Sequence, residues 1–176
     1  MKNRIALTAL ALAMFGAAST ASAATAPGSF QVSAQVNGSC VVTSAEAIDF
    51  GSYDPTAAHA STALDAQGKV SVRCTSGSTG VSVALDQGTN AKAGSTCAAP
   101  SRQIKSAAGD LVSYEVYSTS GRDQVWACDS AANAVSLPVF TSSLVPVDLT
   151  TYGRIPAGQN AAIGTYSDTI GVTVSF

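Results

Sequence analysis

Charge is what this sequence has least of. Charged residues make up 11% of its 176 positions, against roughly 25% in an average soluble domain, and no basic run is present that could grip phosphates. Nucleic acid is thereby set aside as a partner. Histidine occurs once, at His59, in the loop-like stretch Ala57-Ala58-His59-Ala60-Ser61 without a neighbouring carboxylate in sequence to orient it as a base. No serine is framed by G-x-S-x-G or S-x-x-K, and no C-x-x-C occurs. Asp49, Asp54, Asp65, Asp86, Asp110 and Asp168 fall in no EF-hand or other ligand spacing and read as solvated turn residues. These absences point away from catalysis, metal and cofactor. Asp168 alone falls on an inward strand register, which suggests bonds to backbone groups or to Arg154.

Long apolar runs are also missing beyond the N-terminus. Lys2 and Arg4 lead an apolar run from Ile5 to about Ala18, and Ala21-Ser22-Ala23 supplies the small residues of a cleavage site. Residues 1–23 therefore read as an export signal cut between Ala23 and Ala24. The run is too short for a permanent membrane span. About 153 residues remain, enough for one core. Seven Lys and Arg then face eleven Asp and Glu, a weakly charged surface suited to packing against copies of itself.

Four cysteines in an exported chain, Cys40, Cys74, Cys97 and Cys128, imply two disulfides in one of three pairings. Cys40 and Cys74 each end an alternating strand pattern on its inward register, whereas Cys97 and Cys128 lie in polar, loop-like stretches. Pairing like with like gives Cys40 with Cys74 and Cys97 with Cys128, each bridge worth about 3–4 kcal/mol in the chain-entropy model.

What the sequence has in abundance is two-residue alternation. Strands are expected at 40–43, 47–50, 69–74, 81–86, 102–105, 112–118, 124–127, 135–140, 145–149 and 166–176, separated by Gly, Asn, Ser and Pro clusters, the pattern of an all-β antiparallel sandwich. Pro138 places its strand at an edge. Residues 56–66 carry no apolar stripe and read as a loop.

Two strands lack partners. In 166–176 one face carries Tyr166, Asp168, Ile170, Val172, Val174 and Phe176, and the reading expects an open apolar edge there that another chain must cover. Near the other end Phe30, Val32, Ala34 and Val36 alternate with Gln31, Ser33, Gln35 and Asn37. This register runs on in phase to Cys40 and Val42, so one long first strand is possible. Thirteen residues would span roughly 43 Å, longer than strands usually run, and Asn37-Gly38 is a turn-prone break. The expected division is therefore an N-terminal extension, 24–37, carrying a spare strand, followed by a β-sandwich domain at 38–176.

Several pieces together carry a family resemblance. They are Cys40; Phe50-Gly51-Ser52-Tyr53-Asp54; Val70-Ser71-Val72-Arg73-Cys74; Arg102; Tyr114-Glu115-Val116-Tyr117; Trp126; Tyr152-Gly153-Arg154-Ile155-Pro156-Ala157-Gly158; and Gly164-Thr165-Tyr166-Ser167-Asp168-Thr169-Ile170 through Phe176. In this order they resemble the spore coat protein U domain family, which includes subunits of archaic chaperone-usher pili. The resemblance implies an immunoglobulin-like sandwich lacking its last strand. It further implies that the gap is filled first by a periplasmic chaperone and then, after delivery to an outer-membrane usher, by the N-terminal strand of a neighbouring subunit. Phe30, Val32, Ala34 and Val36 would be the donor residues; Ile170, Val172, Val174 and Phe176 would edge the acceptor groove. Surface adhesion and biofilm formation are the functions such fibres imply. Two rival expectations are a secreted coat protein of the same fold, and a monomeric carbohydrate-binding protein using Trp126 and the tyrosines 53, 114, 117, 152 and 166. Core packing is the plainer role for those aromatics.

Overall fold

The computed structural model describes residues 22–128 and 133–176. The export signal expected at 1–23 falls almost wholly outside the described residues; Ala23 and Ala24 are exposed and in no strand. The chain divides into two units, 1–35 and 36–176. In the first, the described residues form neither helix nor strand, and Phe30, Val32 and Ala34 are exposed.

In the second unit the described residues form nine strands: β1 Cys40–Glu46, β2 Leu64–Cys74, β3 Ser82–Leu85, β4 Arg102–Ser106, β5 Leu111–Tyr117, β6 Val135–Ser136, β7 Val147–Ile155, β8 Tyr166–Ser167 and β9 Val172–Ser175. Every pairing is antiparallel. One sheet has the order β1-β2-β7-β5-β4-β8, the other β6-β3-β9. The backbone of the larger sheet is the β2–β7 pair, matched from Leu64 with Ile155 to Val72 with Val147. Alternation decides which side chains go inside. Val70, Val72 and Cys74 of β2, Val112, Tyr114 and Val116 of β5, and Val83 and Leu85 of β3 are buried, while Asp65, Gln67 and Arg73 face water. Full burial of each such Val or Leu is worth about 1.5–3 kcal/mol. Trp126, Leu137 and Phe140 enter the same core from connecting segments.

Glycine is required where the chain crosses this core. After β1, Ile48 and Phe50 lie across the inner face of the sheet, and a Cβ on Gly153 would come within 2.7 Å of both side chains. Phe50 then meets Tyr114 edge to face, with ring centroids 6.2 Å apart.

Several expected strands are shorter or absent. Residues 47–50 form no strand, because their two apolar side chains cross the sheet rather than extend it. Residues 124–127 contribute a single bridge, Val125 with Tyr117. Their backbone instead links the sheets: Trp126 N–H donates to Val116 and Leu85 N–H donates to Ala127. The strand expected at 135–140 stops at Ser136, two residues before Pro138, and β6 is indeed an edge. The loop expected at 56–66 ends early, since 64–66 already pair with β7.

The run 166–176 is not one strand. β8 pairs with β4 in the larger sheet, and β9 pairs with β3 in the smaller. Between them the chain changes sheets, held by Asp86 N–H to Gly171 O and Thr89 N–H to Thr169 O, at 3.0 and 3.1 Å.

Candidate functional site

Among the described residues β1 and β9 are each the last strand of their sheet, and they approach one another without pairing. The inward residues along both are poorly covered. Val42 lies opposite Val72, which is fully buried, yet Val42 is itself 40% exposed. A bulge at Thr43 then shifts the register, and Ala45, opposite Val70, is exposed as well. On the other side Val172 and Val174 lie opposite the buried Leu85 and Val83 but are only half-buried, and Phe176 is 64% exposed. An apolar strip between two open strand edges results. Ile170 packs against the core beside it.

The sequence reading named only the β9 side, through Ile170, Val172, Val174 and Phe176. It missed Val42 and Ala45, whose two-residue alternation is broken by the bulge. The register of Cys40 and Val42 was the only available signal.

The position of β9 is set by a polar hub at the sheet change. Asp168 does not meet Arg154, which forks onto Asp65 at 2.7 and 2.9 Å. Its Oδ1 accepts from the backbone N–H groups of Thr89 and Asn90 and from both side chains, at 2.6–3.2 Å. Its Oδ2 accepts the Tyr114 hydroxyl at 2.7 Å. Burial, then this bond, pushes the Tyr114 phenol up, so it stays a donor. Beside the hub Arg102 is completely buried. It donates to the carbonyls of Leu85, Asp86 and Trp126 at 2.6–3.2 Å, and Nη1 lies 3.6 Å from Glu115. Trp126 Nε1 donates to Val83 O at 2.9 Å. Trp126 and Tyr114 are therefore core residues and offer no platform for a sugar.

At the start of β1 the exit of the N-terminal segment is clamped. Cys40 is bonded to Cys74, with Cα atoms 4.1 Å apart. Next to it Thr75 N–H donates to Ser39 O at 2.8 Å, Ser39 N–H donates to the Thr75 hydroxyl at 3.1 Å, and that hydroxyl lies 3.3 Å from the carbonyl oxygens of Asn37 and Ser39. Cys97 is bonded to Cys128 elsewhere, between connecting segments. Val36 is 82% exposed.

The chemistry-bearing side chains are otherwise engaged in holding loops. His59 Nδ1 accepts the Asp54 N–H at 2.9 Å and its ring stacks on Tyr53. The Tyr53 hydroxyl donates to Pro156 O and accepts the Gln159 N–H, both at 3.0 Å. Gln159 was not singled out from sequence; its side-chain amide takes up both backbone groups of Ser113, at 2.8 Å each, as a strand neighbour would. Among the described residues no group of three His, Cys, Asp or Glu side chains is placed to hold a metal, and no helix is long and apolar enough to cross a membrane.

Comparison with known proteins agrees with this geometry. Protein U of Myxococcus xanthus is 38% identical over 172 residues, covering 94% of this chain and 93% of that protein. Among solved structures, one chain of the Csu chaperone–tip adhesion subunit pre-assembly complex, from the archaic chaperone-usher pili of Acinetobacter baumannii, superposes with a TM-score of 0.53 at 20% identity. That match covers 80% of this chain but 40% of the other, so it speaks for a shared all-β fold alone. The Spore Coat Protein U domain model matches residues 26–173, and with that coverage the chain belongs to the spore coat protein U domain family.

Proposed function

We propose that this protein is a structural subunit, neither an enzyme nor a cofactor carrier, that polymerises by strand addition. The segment bearing Phe30, Val32, Ala34 and Val36 from one copy enters the strip between β1 and β9 of the next. The observation that carries this reading is the paired open edges, where Val42 and Phe176 stay exposed and Val174 is only half-buried beside a fully buried Val72 and Val83. An inserted strand would satisfy the backbone groups of both edges and cover the strip. Burying Phe30, Val32 and Val36 contributes at most roughly 5–10 kcal/mol before backbone pairing. On this reading the chain is exported through the signal at 1–23. A periplasmic chaperone occupies the strip until an outer-membrane usher exchanges it for the next subunit, and the fibre serves adhesion and biofilm formation at the cell surface. A second reading, assembly into a coat, is favoured by the match of residues 26–173 to the Spore Coat Protein U domain model.

Electron microscopy of material sheared from cells separates the two, thin fibres supporting strand addition end to end and amorphous sheets supporting a coat. The mechanism itself is tested by deleting residues 24–36 and appending a copy of 30–36 through a Gly/Ser linker after Phe176. This form should be a stable, non-polymerising monomer, because the tethered strand reaches an effective concentration in the millimolar range. The same deletion without the appended strand should aggregate or require chaperone. If it is instead monomeric and equally resistant to heat, no strand is being awaited and the reading fails.

A further inference from the structure

The end of the domain from which the N-terminal segment departs is uncharged and unusually apolar. Residues 75–85 and 135–147 contain no charged side chain. The loops 75–78 and 139–145 are bonded into one surface: Ser76 N–H donates to Ser143 Oγ and Gly77 N–H to Phe140 O, both at 2.7 Å, and Phe140 N–H donates to Ser78 O. The same 75–78 loop lines a hollow with Val36 and Gly38. On this surface Val139, Leu144 and Val145 are 57%, 82% and 63% exposed, and Val36, beside the 75–78 loop, is 82% exposed. Monomeric soluble domains seldom leave such a patch uncovered.

The length of the connection says what covers it. If Val36 is the last residue seated in a neighbour, four Cα steps separate it from Cys40, at most about 14 Å. Asn37 and Ser39 are held back against Thr75, so the usable reach is shorter still. The neighbouring domain must then stand directly over this end, too close for a free hinge.

We propose that the loops 75–78 and 139–145, with Val36, form a docking surface for the neighbouring copy of this chain that takes up its N-terminal segment. This second contact, which rests on the strand-addition reading, makes the joint between subunits stiff. Buried apolar contact is what suppresses relative motion between linked domains; without it, motion is the default.

The test substitutes Leu144→Glu together with Val145→Glu, and separately Val139→Glu, in the full-length chain, and measures fibre persistence length by electron microscopy. Because all three side chains are exposed, the strand-complemented monomers carrying these changes should melt as the unsubstituted form does. Fibres of both variants should bend more readily, with persistence length reduced at least about twofold. Loss of fibres from a variant whose complemented monomer melts normally also supports the contact. Unchanged stiffness overturns it, as does unchanged stiffness with loss only of surface attachment, which would assign the patch to a partner other than this chain. Failure of the underlying reading looks different: fibres would persist when Val32→Asp places a carboxylate in the donor segment.

Discussion

At the scale of single residues, Arg102 concentrates the most consequence in one side chain. Burial drags its guanidinium down and pushes the Glu115 carboxyl up, both against their mutual attraction. Desolvation therefore outweighs the ion pair, and what Arg102 contributes is the three carbonyls it satisfies where the sheets meet. Arg102→Met, made in the strand-complemented monomer, should cost about 3–5 kcal/mol in urea unfolding, because three carbonyls lose their donor and the Glu115 carboxylate loses its neighbouring cation. The loss should depend on pH. Glu115 already sits above its unfolded value, and without the cation it rises further. A raised carboxyl favours the fold below its unfolded value and loses that advantage as pH climbs through the folded one. The deficit should thus be smallest near about pH 4 and widen toward pH 7. A deficit independent of pH would mean that Glu115 is not coupled to Arg102.

Among the elements, the run 166–176 shows how tertiary bonds cut a pattern that looks continuous. Its alternation is unbroken in sequence, but Asp168 lies at the crossing between sheets and collects donors from residues 89, 90 and 114. Gly88 is needed there twice over: its φ is +75°, and a Cβ would collide with the Asp168 carboxylate. Nothing in residues 166–176 announces partners 54 to 79 positions away. Asp168→Ala should cost roughly 1–3 kcal/mol and Tyr114→Phe somewhat less, since the first leaves a buried hydroxyl unpaired and the second only a half-exposed carboxylate. The pair should couple, the double variant losing less than the two single losses combined by about 0.5–3 kcal/mol. Thermal and urea unfolding of the four forms checks this, and strict additivity would deny the hub. β1 shows the complementary case. Cys40 and Val42 were readable as inward, but whether anything covers them depends on the neighbouring sheet.

For the whole molecule, the two disulfides close loops of similar length, with sequence separations of 34 and 31, and each should stabilise by about 3–4 kcal/mol. Their positions differ. Cys40–Cys74 joins the edge strand β1 to β2 beside the clamp at Thr75, whereas Cys97–Cys128 ties connecting segments together. Replacing either pair by Ser should therefore lower thermal stability comparably. Only loss of Cys40–Cys74 should also reduce fibre yield at temperatures where the domain stays folded. Equal fibre yields from the two variants at such a temperature would separate the clamp from assembly.

The sequence alone determined the all-β class, the inward register of Val70, Val72 and Cys74 in β2, and the two-residue alternation around Phe30 and Val32, because each is a local period-two pattern written in consecutive residues. The absence of basic runs and catalytic motifs was equally legible, being a matter of composition. Tertiary structure decided the rest: that 47–50 cross the core instead of extending it, that 124–127 stitch two sheets, that Asp168 answers Tyr114, and that β1 forms the second wall of the open strip. Each of these depends on which distant backbone comes alongside, Cys40 with Cys74 or Ser82 with Ser175. An open edge is a property of the strand that is missing beside it, and no stretch of consecutive residues can encode that by itself.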